Sequence, residues 1–135
     1  MSLAHRTAAI AEALAYKLPS NRNFAIATAG LWVFLYLVEY GPARLRVGIL
    51  KSIHKADNSG PRIFRSIGNI LAFLHSLEAL FAVGVAVALR KTYGAEVLPV
   101  IEIAKWVAGI LVFGVGNTGM LLNITSQLGA KYLKL

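Results

Sequence analysis

Two residues in the middle of an apolar segment are the strongest candidates for chemistry in this chain. His75 and Glu78 are three residues apart, so in a helix their side chains share one face. An imidazole beside a carboxyl can share or relay a proton or contact a quinone, and an imidazole can also ligate haem iron. The sequence contains no paired carboxylates, activated serine or metal-ligand cluster that would complete a catalytic site. We therefore expect a protein that is not an enzyme and has no cofactor, with haem bound through His75 as an alternative.

The segment that carries this pair predicts a membrane-spanning helix. Residues 67–89 contain no Lys or Arg, and at about 1.5 Å per residue they are long enough to cross a hydrocarbon core of roughly 30 Å. An ionisable residue inside such a span is expected to face protein and not lipid.

Two further apolar stretches predict two more spans, over residues 24–40 and 99–123. Neighbouring spans run antiparallel, which brings Asn117 of the third span to the depth of His75. We therefore predict a buried, hydrogen-bonded cluster of His75, Glu78 and Asn117. Its leading interpretation is that it fixes the register of the helices, with Glu78 protonated or sharing a proton with His75. The alternatives are a proton relay and a quinone contact.

Small residues predict the faces on which the second and third spans pack, because they let helix backbones approach closely. These residues are Ala72, Ala79, Ala82 and Ala86 in the second span and Gly109 and Gly116 in the third. Residues 114–119 also match the pattern G-x-G-x-x-G, but no strand precedes them, so we interpret these glycines as packing notches and not as a dinucleotide site.

The N-terminal segment, residues 1–23, predicts an amphipathic helix from about Ser2 to Leu18, which Pro19 ends. Its predicted apolar stripe consists of Leu3, Ile10, Leu14 and Leu18. It is basic and poor in acids, which is typical both of a mitochondrial targeting sequence and of a helix that lies in the membrane surface. Both interpretations stay open. The remaining residues, 24–135, form the predicted three-span membrane domain.

The first loop predicts a second surface helix, and this one is strongly basic. Apolar residues recur there every fourth position, while cations fall on another side. We expect these cations to bind anionic phospholipid such as cardiolipin. A solvated loop whose charges only set the topology is the alternative. The cations assigned to lipid binding are Arg44, Arg46, Lys51 and Lys55.

Composition agrees with an all-α membrane protein of three transmembrane helices, an N-terminal amphipathic helix and a basic interfacial helix. The chain has 135 residues, of which 57% are hydrophobic, a mean hydropathy of +0.64 and a net charge of +8. Its basic residues flank the spans, so they indicate membrane surfaces and not nucleic acid. It has no cysteine, which excludes disulfides, thiolate metal sites and thiol catalysis.

The run from His75 to Ala82, with Glu78, Leu80 and Phe81 at fixed spacing, resembles the His-x-x-Glu-x-Leu-aromatic-Ala signature of the small eukaryotic transmembrane protein 254 family. Trp106 followed by Phe113-Gly114 is similar to the third span of that family. The resemblance covers about residues 67–122. It implies a three-span fold and a shared importance of His75 and Glu78, and it implies no reaction.

The function expected from these observations is that of an accessory subunit of a multisubunit membrane complex, with other membrane subunits as partners. The most plausible location is the mitochondrial inner membrane, in a respiratory-chain or ATP-synthase assembly. A haem- or quinone-contacting membrane anchor that uses His75 and Glu78 is one alternative, and a lipid-metabolism scaffold in the endoplasmic reticulum is another.

Overall fold

The computed structural model describes residues 2–40, 42, 44 and 60–133, with only the backbone given for residues 39 and 60–64. This part of the chain is helical and contains no strand. Its five α-helices and one short π-helical turn are α1 (Leu3–Leu14), α2 (Arg22–Tyr40), α3 (Gly60–Tyr93), α4 (Val100–Phe113), α5 (Val115–Leu128) and the turn Gly129–Leu133. The predicted all-α class is confirmed. The predicted basic helix of the first loop lies outside the described residues, apart from Arg44.

Helix α3 is the one helix of the described part that is long and apolar enough to cross a membrane, over Arg65–Tyr93. It has 34 residues, or roughly 50 Å at about 1.5 Å per residue. Gly94 ends it at a φ of 106°, a left-handed conformation that favours glycine, and donates its amide to the Arg90 carbonyl at 3.0 Å. The prediction of a span over 67–89 therefore falls within a helix of suitable length and composition.

The other two predicted spans are not confirmed. Helix α2 has 19 residues, and its apolar part over Arg22–Val38 is shorter than a typical span. The third predicted span, 99–123, is divided at Gly114 into α4 and α5, each of 14 residues. Each half is about 21 Å long, which is less than the thickness of a hydrocarbon core.

The chain forms two compact units, Asn21–Leu74 and the combination of Met1–Ser20 with His75–Leu135. The second of these, called the core unit below, contains α1, the later part of α3, α4, α5 and the π-helical turn. Its centre is apolar and closely packed, since each side chain there is almost fully removed from solvent. These core side chains include Ile10, Leu14, Ala82, Leu98, Trp106, Ile110, Leu121 and Leu128.

Helix α1 is part of this core and ends four residues earlier than predicted. Ser2 caps its start, accepting the His5 amide at 3.3 Å. Ile10 and Leu14 are buried, whereas Leu3 and Leu18 of the predicted apolar stripe are exposed. The helix stops at Leu14 because backbone groups that would continue it bind elsewhere in the core unit.

Candidate functional site

The break between α4 and α5 is the most unusual backbone feature near the predicted site. Gly114 has φ 53° and ψ −126°, the mirror image of an ordinary turn conformation, which glycine adopts without strain. Its amide donates to the Ile110 carbonyl at 2.7 Å, and its carbonyl accepts the amides of Asn117 and Thr118 at 3.1 Å each. Gly114 therefore closes one helix and opens the next.

The imidazole of His75 fills the space beside this break. Its Nδ1 lies 2.9 Å from the Leu111 carbonyl oxygen, which in an unbroken helix would accept the amide of residue 115. A carbonyl only accepts, so Nδ1 is the donor of this hydrogen bond. Nε2 is the atom that a side chain at Gly114 would meet first, and even a Cβ would overlap it. His75 thus binds a carbonyl that the break releases.

The break also redirects Asn117. In a straight helix, Gly109 and Asn117 would be about 12 Å apart along the axis. Here the Asn117 Nδ2 lies 2.6 Å from the place where a Cβ of Gly109 would be, and the Tyr16 hydroxyl lies against the same place. The chain therefore bends sharply at Gly114, and the absence of a side chain at Gly109 leaves room for both polar groups.

Asn117 is completely buried, and neither atom of its amide has a hydrogen-bond partner in the described part of the chain. Glu78 is half-buried, and its Oε2 is likewise buried without a hydrogen-bond partner among the described residues. His75 is level with Leu111, and Arg90 of α3 donates to the Leu98 carbonyl at 3.1 Å.

The structure places the three residues of the predicted cluster in one unit without bonding Asn117 to the other two. His75, Glu78 and Asn117 belong to the same unit, and within it the Glu78 Oε2 and both amide atoms of Asn117 are buried. The predicted hydrogen bonds through Asn117 are absent, because that prediction assumed an unbroken third helix. The bend at Gly114 directs Asn117 toward Gly109, while His75 binds the Leu111 carbonyl.

A second polar arrangement, which the sequence did not predict, joins the end of α1 to α4. The indole Nε1 of Trp106 donates to the Leu14 carbonyl at 2.8 Å, and the Tyr16 amide donates to the Glu102 Oε2 at 2.8 Å. The rings of Tyr16 and Trp106 pack edge to face, with centroids 5.2 Å apart. In a longer α1, the Leu14 carbonyl and the Tyr16 amide would make helical hydrogen bonds. Here both bind side chains of α4 instead, which explains why α1 ends before Leu18. The signal in the sequence was Trp106 itself, since a buried indole N–H needs an acceptor.

Glu102 has a second partner. It precedes Lys105 by three residues, and this spacing predicts an ion pair, because such side chains are neighbours on a helix. The Lys105 Nζ lies 2.6 Å from Glu102 Oε1, which confirms this pair. The hydrogen bond from Lys105, followed by that from the Tyr16 amide, lowers the pKa of the Glu102 carboxyl. Glu102 lies in the first turn of α4, outside the candidate span 65–93.

The small residues assigned to helix packing have different environments. Ala79, Ala82, Ala86 and Gly109 are buried, Gly116 is half-buried and Ala72 is exposed. Gly114, which we interpreted as a packing notch, instead sets the backbone conformation of the break. Of the cations assigned to lipid binding, Arg44 is exposed, and Arg46, Lys51 and Lys55 lie outside the described residues.

Chemically, the site combines an imidazole that donates to a backbone carbonyl, a carboxyl and a buried amide. Among the described residues, no group of three or more His, Cys, Asp or Glu side chains could hold a metal ion. Comparisons with protein-family models, curated proteins and solved structures found no match to this chain. The resemblance to the transmembrane protein 254 family therefore stays a prediction from the residues.

Proposed function

We propose that this chain is a non-catalytic accessory subunit of a larger membrane assembly. The observation that carries the proposal is the surface of α3. In its most apolar 18-residue window, only 17% is buried within the chain. Phe73, Leu80 and Phe81 are among the large apolar side chains left exposed. A helix that is apolar all round and uncovered needs lipid or protein around it.

Exposed glycines support a protein partner in addition to lipid. A Cβ added at Gly30 of α2, Gly84 of α3 or Gly119 of α5 would meet no atom within 4 Å. In a bilayer, where burial of apolar surface does not drive association, such notches are where neighbouring helices approach. Ala72 is likewise exposed, so the small-residue stripe of α3 continues beyond the part that its own chain covers.

For the compartment we propose the mitochondrial inner membrane, in a respiratory-chain or ATP-synthase assembly. The support is the basic, acid-poor N-terminal segment and the net charge of +8, which suit a membrane rich in anionic lipid. An endoplasmic-reticulum scaffold for lipid metabolism is the alternative location.

The Glu78 Oε2 and the Asn117 amide are buried and have no hydrogen-bond partner in the part of the chain that the structure describes, which favours a second candidate, a membrane anchor that contacts quinone or relays a proton. The haem form of this candidate requires His75 to move, because its Nε2 abuts Gly114. It predicts a Soret band in the purified protein that His75→Ala abolishes.

The test of the leading proposal is blue-native electrophoresis of membranes solubilised in mild detergent, with the chain followed by mass spectrometry. We expect it to migrate with a respiratory or ATP-synthase band. Migration as an isolated small protein would contradict the accessory role.

A pair of variants tests separately whether α3 lies in lipid. Leu80 of α3 is 69% exposed and Leu3 of α1 is 80% exposed, so arginine fits at either position in water. At mid-bilayer an arginine costs about 2.5–3.5 kcal/mol on insertion scales. We expect Leu80→Arg, and not Leu3→Arg, to lower the fraction that resists alkaline extraction from membranes. Equal behaviour of the two variants would contradict a lipid-facing α3.

A further inference from the structure

A cavity in the unit Asn21–Leu74 combines apolar walls with a cationic edge. It lies between the later part of α2 and the beginning of α3 and has a volume of about 390 Å³, within the usual range of small-ligand sites. Trp32, Leu35, Tyr36 and Tyr40 of α2 form one side. Arg65 and Asn69 stand on the other side and are both exposed to solvent. Such a cavity suits an amphiphile, since neither a purely apolar nor a purely polar ligand would use both sides.

The two polar residues are suited to a phosphate group. Arg65 and Asn69 are four residues apart on α3, so they share a face. A guanidinium binds phosphate through paired N–H donors, and an Asn amide adds a further donor. A guanidinium carries five N–H donors, so Arg65 can hold a phosphate in addition to a protein neighbour.

The position along α3 suits a lipid headgroup. Arg65 lies two residues before the predicted span 67–89, so the cavity lies where that span would meet the membrane surface. Trp, Tyr and Arg side chains are enriched at this depth, because their apolar parts face the acyl chains and their polar ends face water.

We propose that this cavity binds one anionic phospholipid, with its phosphate on Arg65 and Asn69 and the upper part of an acyl chain against Trp32 and Leu35. The net charge of +8 favours an anionic over a zwitterionic lipid. The apolar walls favour a lipid over free phosphate. The inference rests on the proposed membrane location, and it names residues other than the loop cations that the sequence assigned to lipid.

The test uses the purified full-length protein in detergent micelles and phosphatidylglycerol with brominated acyl chains, which quench nearby tryptophan fluorescence. The chain has two tryptophans. Trp32 lines the cavity, while Trp106 is buried in the core unit. We expect saturable quenching with wild type, and Arg65→Gln to weaken the apparent affinity about tenfold, the effect of losing one charge-assisted hydrogen bond.

The matched control is Arg22→Gln, which removes the same charge from an exposed residue of α2 outside the lining residues named above. We expect it to bind as wild type does. Asn69→Leu, which removes the amide donor, is a second variant in case Arg65→Gln does not fold. Equal affinities of wild type, Asn69→Leu and Arg65→Gln would overturn the proposal, as would equally tight binding of brominated phosphatidylcholine. Competition by millimolar inorganic phosphate would instead indicate a phosphate site without lipid specificity and would also overturn it.

The lipid-binding experiment and the native gel test different proposals, so a negative result in one does not contradict the other. Binding in micelles needs no partner subunit, so isolated migration on a native gel leaves a saturable lipid site intact. Conversely, a chain that migrates with a large complex and shows no dependence on Arg65 retains its accessory role and lacks this lipid site.

Discussion

Replacing Gly114 with alanine tests whether the third apolar segment is one helix or two. The predicted span 99–123 is continuous, and in a continuous helix a glycine-to-alanine change is favourable by about 0.5–1 kcal/mol. In the structure, Gly114 has φ 53°, and His75 occupies the space of its Cβ. A continuous helix therefore predicts that Gly114→Ala raises the free energy of unfolding, whereas a helix broken at Gly114 predicts that it lowers it.

The magnitude follows from two separate costs. A residue other than glycine in such a backbone conformation is strained by about 1–3 kcal/mol. Moving the His75 ring breaks its hydrogen bond to the Leu111 carbonyl, with a net loss of about 0.5–1.5 kcal/mol. We therefore expect Gly114→Ala to lower the free energy of unfolding by about 2–4 kcal/mol, taking the two costs together.

Gly119 provides the matched control, because it lies inside α5 and an added Cβ there meets no atom within 4 Å. We expect Gly119→Ala to be neutral or to stabilise by up to about 1 kcal/mol. The assay is denaturant unfolding of the purified protein in detergent, followed by circular dichroism. Equal, favourable changes for the two variants would refute the break at Gly114. Partial recovery in the double variant Gly114→Ala/His75→Ala would assign the steric part of the cost to the imidazole.

Three further predictions concern the other polar groups. Trp106→Phe keeps a ring in the core but leaves the Leu14 carbonyl without its donor. The same assay should therefore show a free energy of unfolding lowered by about 1–3 kcal/mol. An unchanged unfolding midpoint would contradict the hydrogen bond. Asn117→Ala removes a buried amide that makes no hydrogen bond to the described residues, so we expect little loss or a gain in stability. A loss above about 1 kcal/mol would show that the amide has a partner. The lowered pKa of Glu102 means that its contribution to stability is present at neutral pH and is lost as the pH falls below the usual value of about 4.5. Glu102→Gln should reduce this acid-dependent loss relative to wild type, and an identical pH profile would contradict the assignment.

The sequence predicted the features that depend on local pattern. The length and apolar character of the segment 67–89 predict a long helix, and α3 contains it. The spacing of Glu102 and Lys105 predicts their ion pair, since residues at i and i+3 of a helix are neighbours whatever surrounds them. The predicted apolar stripe of the N-terminal helix is confirmed at Ile10 and Leu14, which are buried, and is wrong at Leu3 and Leu18, which are exposed.

The tertiary structure decided features that depend on groups distant in the chain. Hydropathy does not distinguish a continuous helix from one broken at Gly114, because the stretch is apolar on both sides of the break. The backbone there adopts a conformation suited to glycine beside the imidazole of a residue 39 positions earlier, and that contact exists only once α3 and α4 pack. The end of α1 was likewise set by Glu102 and Trp106, which lie 86 and 92 positions from the backbone groups they bind. A sequence pattern reports which side chains leave water, whereas which polar atoms find partners is decided by the geometry of packing.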